Sequence, residues 1–181
     1  MICFCLYEYF LATYPLIPYI IFQNRSAAVT YVCTTLHGLV LWCLLYYLPL
    51  YYEAVKDMSP IDAGVAVLPE TLTLVPASVI TGLLITRTGS YRWAIWIGWI
   101  VTTVGMGLLM LLDVDTSTGK WIGLNLIVGL GTGILFSAMA FAVQASVNVD
   151  SIAAAVCMFS FFRSFGSVLP PTGEMKILEA N

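Results

Sequence analysis

The chain has 181 residues, of which 60% are hydrophobic and only 9% are charged, with seven Lys and Arg against ten Asp and Glu for a net charge of −3. Soluble domains carry about 25% charged residues, so this sequence, with a mean hydropathy of +0.94, has too little polar surface to cover a water-soluble globule. The slight negative charge and the lack of a basic cluster speak against nucleic acid as a partner.

The apolar run Met1 to Tyr7 is too short to cross a bilayer alone and lacks the basic start and small-residue cleavage site of a signal peptide. Residues 1–26 therefore read as a truncated helix tail followed by a cytoplasmic or interfacial segment. From Ser26 to Tyr52 there is no Asp, Glu, Lys or Arg, a run longer than the ~18 residues a spanning helix needs, which predicts a first span over 27–51. Tyr46, Tyr47, Tyr51 and Tyr52 crowd its end, where aromatic rings suit the headgroup level. Ser59, Pro60 and Asp62 form a helix start, with Ser as N-cap, Pro in the first turn and a carboxylate at the positive end of the dipole. They open a second span over 62–86, apolar except for Glu70 and bent by Pro69 and Pro76.

The charge-free runs Trp93 to Leu112 and Trp121 to Val149 predict a third span over 93–112 and a fourth over 121–145. A fifth, over 151–169, is apolar except for Arg163, and residues 170–181 form a polar tail with Glu174, Lys176 and Glu179. The fold class is thus all-α integral membrane, with about five transmembrane helices in a membrane domain over 27–169. Orientation follows from basic residues in short loops. Arg25, Arg87 and Arg92 fall on one side and Lys56 and Lys120 on the other, which places Ser90 in the cytoplasm and Thr116 opposite.

The stretch Gly82-Leu83-Leu84-Ile85-Thr86-Arg87-Thr88-Gly89-Ser90-Tyr91-Arg92 resembles the major facilitator signature G-x-L-x-D-R-x-G-x-x-R. Glycines there allow a tight turn and close helix approach, and arginines can lock one conformation by meeting carboxylates or helix C-termini. Gly82, Arg87, Gly89 and Arg92 fill the pattern; Thr86 stands at its acidic position, as in the degenerate copy in the second half of that fold. Further segments, in order, are similar to fungal fourteen-helix drug/proton antiporters: Pro15-Leu16-Ile17-Pro18 with Asn24-Arg25, Tyr47-Leu48-Pro49-Leu50, Ser59-Pro60 with Leu68-Pro69, Gly129-Leu130-Gly131-Thr132-Gly133, and Phe161-Phe162-Arg163-Ser164-Phe165-Gly166. The resemblance covers residues 8 to 169. It implies a fragment from the C-terminal half of a major facilitator transporter, whose parent exports small organic compounds in exchange for protons by alternating access. It further implies a plasma or vacuolar membrane, the lipid bilayer and the missing N-terminal half as partners, and no cofactor. The ending Pro170-Pro171-Thr172-Gly173 departs from the family, which continues through a further Gly-rich apolar helix.

Four residues are candidates for a substrate or proton pathway because polar groups inside spans are rare. Glu70 either faces a polar cavity or sits shallow enough to reach interfacial water. Arg163, twelve residues past Ser151, is near mid-membrane and either meets substrate or ties helices together. His37 has the chemistry of a proton relay, or simply bonds a neighbouring helix. Gln144 is a weaker pathway candidate beside Ser146 and Asn148, where helix contact is the simpler role. Gly129 and Gly133 have the spacing of close helix packing, and their Gly-x-Gly-x-Gly run follows no strand and so is no nucleotide fingerprint. Cys3, Cys5, Cys33, Cys43 and Cys157 show no CxxC spacing and read as small apolar filler; no metal site is implied. No Ser/His/Asp set or paired acid motif points to an enzyme. Two readings stand: part of a secondary transporter, or a truncated multi-pass protein that pairs helices without transporting, since half a repeat pair is not expected to alternate access.

Overall fold

The computed structural model describes residues 25–112 and 117–178, with backbone only at residues 150 and 169–178. The N-terminal segment before Arg25, the Thr116 side of the expected topology and the last residues of the tail lie outside the described residues. Five helices follow one another: α1 Arg25–Ala54, α2 Pro60–Thr88, α3 Arg92–Leu109, α4 Thr118–Ala145 and α5 Ile152–Leu178, the last preceded by a 3-10 turn, Val149–Ser151. Among the described residues, α1 to α4 are each long and apolar enough to cross a membrane, and α5 contributes a shorter apolar stretch, Ile152–Val168.

Local chemistry sets the ends. Ser59 caps α2 by accepting from the Asp62 N–H at 3.2 Å, while its own hydroxyl donates to Asp62 Oδ2 at 2.7 Å, so two groups that would otherwise be unpaired are satisfied together. At the other end Gly89 takes the left-handed conformation (φ 65°) and returns its N–H to the Ile85 carbonyl at 2.8 Å, the backbone geometry that glycine adopts without penalty. Only Ser90 and Tyr91 then separate it from α3. α2 stays helical through Pro69 and Pro76, and α1 through Pro49. α5 differs from the sequence expectation, because its backbone remains helical past Pro170 and Pro171 to Leu178. Glu174, Met175, Lys176 and Leu178 are strong helix formers, so helix continues into the segment expected as a polar tail.

Helices α2, α3 and α4 form one packed group and α1 and α5 another, with α1 also touching α2 and α4. Glycine lets the backbones approach. A Cβ on Gly129 would strike the Glu70 carbonyl, one on Gly133 would meet Leu74 and Ala77, and Ser137 donates to the Ser78 carbonyl at 2.6 Å. The pairs 70/129, 74/133 and 78/137 advance together, so α2 and α4 run parallel along a seam of every fourth residue. On the other side of α4, the contacts of Gly98 with Leu135, Thr102 with Gly131 and Gly105 with Val128 run in opposite order, as antiparallel helices must. Gly38 lies against the Arg163 carbonyl and Gly166 against the Thr35 carbonyl, which closes α1 on α5.

The outward faces are apolar: Val32, Leu72, Val75, Ile100 and Trp96 are exposed, Trp96 at 73%. Apolar faces of this extent are stable in hydrocarbon rather than in water.

Candidate functional site

Helix length converts directly into depth. Glu70 lies ten residues beyond Pro60, about 15 Å along α2, and is buried. Its backbone carbonyl abuts Gly129, and its Oε2 is buried with no hydrogen-bond partner among the described residues. Beside it, across the same seam, Asn125 of α4 donates from Nδ2 to the Tyr52 hydroxyl of α1 at 3.0 Å and to the Ala66 carbonyl of α2 at 3.2 Å. A carbonyl only accepts, so the Ala66 contact fixes which end of the amide faces it. Asn125 Oδ1 is then left buried without a donor among the described residues. Glu70 and Ala66 are one turn apart on α2, as Asn125 and Gly129 are on α4, so the carboxyl and the amide belong to one buried polar patch. Tyr52 is within electrostatic range of Glu70, and Trp121 packs tilted on the Tyr52 ring at 5.5 Å between centroids.

His37 occupies a second place, in the middle of α1. Its Nε2 bonds the Thr132 carbonyl at 3.1 Å; that carbonyl accepts, so Nε2 carries the hydrogen and Nδ1 is left as an acceptor. Nδ1 is buried with no partner among the described residues. Here His37 ties α1 to the glycine-rich part of α4, and it lies within electrostatic range of Arg163.

Arg163 is eleven residues into α5, about 16 Å along it. With its backbone held against Gly38, its guanidinium reaches toward α4 and stacks 4.5 Å from the centroid of Phe136. Its Nε is buried without a hydrogen-bond partner among the described residues. Arg163 and Gln144 line a single cavity of about 240 Å³ between α4 and α5, together with Phe136, Phe159 and Ser160. Gln144 sits in the last turn of α4, so the cavity runs from that end of the bundle toward its middle.

The structure thus joins Arg163 with Gln144, and Glu70 with Gly129, but sets Glu70 in a patch separate from the Arg163 cavity. In the signature loop, Arg87 ends α2 and Arg92 begins α3, both exposed, while Gly82 lies 3.4 Å by its would-be Cβ from the Phe141 ring. Asn125, Phe136 and Ser160 were not singled out from the sequence, and Tyr52 reads there as a headgroup-level ring, whereas it is fully buried against Asn125 and Trp121. Asn125 could have been, as an amide inside a charge-free run; the buried role of Tyr52 could not, because its partner is 73 residues away.

Fold and buried groups together define a multi-pass helical membrane protein with polar side chains held between its spans. The chain belongs to the Major Facilitator Superfamily, whose model matches residues 10–171. It is 54% identical over 169 residues to "MFS transporter L2" of Phoma sp., an alignment covering 93% of this chain and 28% of that protein. It is 37% identical over 163 residues to "MFS-type efflux pump MMF1" of Pseudozyma antarctica, covering 90% of this chain and 30% of the pump. It is also 36% identical over 154 residues to "Efflux pump FUS6" of Gibberella fujikuroi, covering 85% and 28%. The chain therefore spans under a third of the length of these relatives. The superfamily and its named members are transporters, not enzymes.

Proposed function

We propose that this chain is part of the second half of a fungal exporter that moves small organic compounds out of the cytoplasm in exchange for protons, by alternating access in the plasma or vacuolar membrane. The observation that carries the reading is a carboxyl group, Glu70, buried in a membrane-spanning seam with an oxygen unpartnered among the described residues in a chain of this superfamily. Ionisable groups at such depth face costs that only pairing, water or protonation relieves, and proton exchange is the function that uses such a group. The names of the relatives support export. Glu70 is the proton-carrying residue in this reading, with Tyr52 and Asn125 around it. Arg163 and Gln144 line the substrate path, His37 serves as a helix tie or relay, and the loop from Gly82 to Arg92 controls the change of conformation.

The test is export by the full-length protein in sealed vesicles, with a panel of fluorescent organic compounds and an imposed proton gradient. Accumulation should collapse on adding a protonophore; accumulation that persists undiminished would overturn proton coupling. The same reading places the Arg87–Arg92 loop in the cytoplasm. In a background free of native cysteines, an impermeant thiol reagent applied to intact cells should label Thr118→Cys and spare Ser90→Cys, and the reverse pattern would invert the topology.

A further inference from the structure

The cavity between α4 and α5 has a chemistry more specific than that of a general apolar pocket. Its one ionised wall group among the described residues is Arg163, whose guanidinium has the Phe136 face on one side and a buried Nε–H with no partner there. A cation over a ring is only modestly stabilised, which leaves most of the cost of withdrawing a guanidinium from water unmet. An acceptor anion would meet it, and the planar fork of arginine matches a carboxylate with two parallel hydrogen bonds. The donor is also held in place. Gly38 brings α1 against the backbone of Arg163 itself, and Gly166, three residues further along α5, packs on Thr35 and Leu39, so the base of the side chain is anchored beside the cavity. Phe136 and Phe159 supply flat apolar walls, and Gln144 and Ser160 supply the remaining polar groups. At about 240 Å³ the space is smaller than the ~300–1,000 Å³ of drug-sized pockets, which suits one end of a compound rather than the whole of it.

We infer that this cavity is a subsite for the carboxylate end of aromatic or conjugated organic acids, with Arg163 as the anion-binding residue. The inference deepens the reading of the chain as part of an exporter by naming the substrate class. It is tested by binding rather than transport, so that the two can fail separately. Gln144 lies at the end of α4 nearest the Arg87–Arg92 loop, so in the proposed orientation the subsite opens toward the cytoplasm, where an exporter loads.

The experiment measures equilibrium binding of cinnamate and of its neutral isostere cinnamamide to the full-length protein in detergent, at neutral pH and without a gradient. Hydrogen bonds to charged groups are the strong ones, so cinnamate should bind roughly tenfold to hundredfold more tightly than the amide. Arg163→Gln should erase that preference while leaving cinnamamide affinity within about twofold, and Arg163→Lys should restore part of it, since lysine keeps the charge but loses the fork. Equal affinity for acid and amide in the unaltered protein would overturn the inference without any variant, as would failure to bind either. If Arg163→Gln weakened both probes alike, Arg163 would be a helix tie, and the inference would fall. Gradient-independent transport combined with a retained acid preference would instead remove proton coupling and leave the subsite standing.

Discussion

Gly129→Val and Gly133→Val are each expected to cut the yield of monodisperse full-length protein severely, whereas Gly123→Val on the same helix should leave it near normal. In the parallel seam of α2 and α4, a Cβ at Gly129 would collide with the Glu70 carbonyl, and one at Gly133 would come within 2.5 Å of the Leu74 carbonyl oxygen and 2.9 Å of the Ala77 Cβ. The obstacles at Gly129 are backbone atoms of a helix that cannot move without opening the whole seam. Overpacking of a close-packed interior costs about 1–3 kcal/mol, occasionally more, and helix association in lipid lacks a hydrophobic reserve to offset it. At Gly123 a Cβ would meet no described atom within 4 Å, so that substitution tests helix propensity without collision. The measurement is the size-exclusion profile after detergent extraction, with thermal midpoints of the surviving peaks. Equal yields at Gly123 and Gly129 would mean that the two helices do not touch there in the full-length protein.

What the sequence made legible was governed by local physics. Long apolar runs, charge-free for the first, third and fourth spans and interrupted by Glu70 in the second, pointed to an all-helical membrane fold, and the described helices share that class. Ser59, Pro60 and Asp62 named the start of α2 because capping is settled within one helical turn. Gly89 belonged to a recognisable turn for the same reason. Which helix faces which was not legible. A helix that is apolar all round has no stripe to point inward, so the pairing of α2 with α4 in parallel could not be read from period alone. The contact of Asn125 with Tyr52 and Ala66 depends on that pairing and was missed with it. Arg163 and Gln144 were named separately from their types and depths, but their common cavity appears only when α5 is laid against α1 and α4.

Glu70→Gln is expected to bring gradient-driven export by the full-length protein to background while leaving its surface expression intact, and Asp62→Asn should leave both export and surface expression near those of the unaltered protein. The two carboxylates share helix α2 but not their surroundings. Asp62 is exposed in the first turn, where its charge favours the helix dipole by about 0.3–1 kcal/mol and water is available to both protonation states. Glu70 is buried, with Oε2 facing no donor and Asn125 Oδ1 in the same patch also lacking one among the described residues. A protonated carboxyl brings a donor to a patch that has unmet acceptors, and an ionised one brings a further charge. Taking up and releasing one proton therefore changes what holds α1, α2 and α4 together at this point. Glutamine has nearly the same shape and always presents a donor, so it can keep the seam closed but cannot return the proton. Loss of export with normal expression is the signature of that difference. If Glu70→Gln exported at the rate of the unaltered protein under the same gradient, the proton would travel elsewhere, and Glu70 would be a packing residue of the α2–α4 seam.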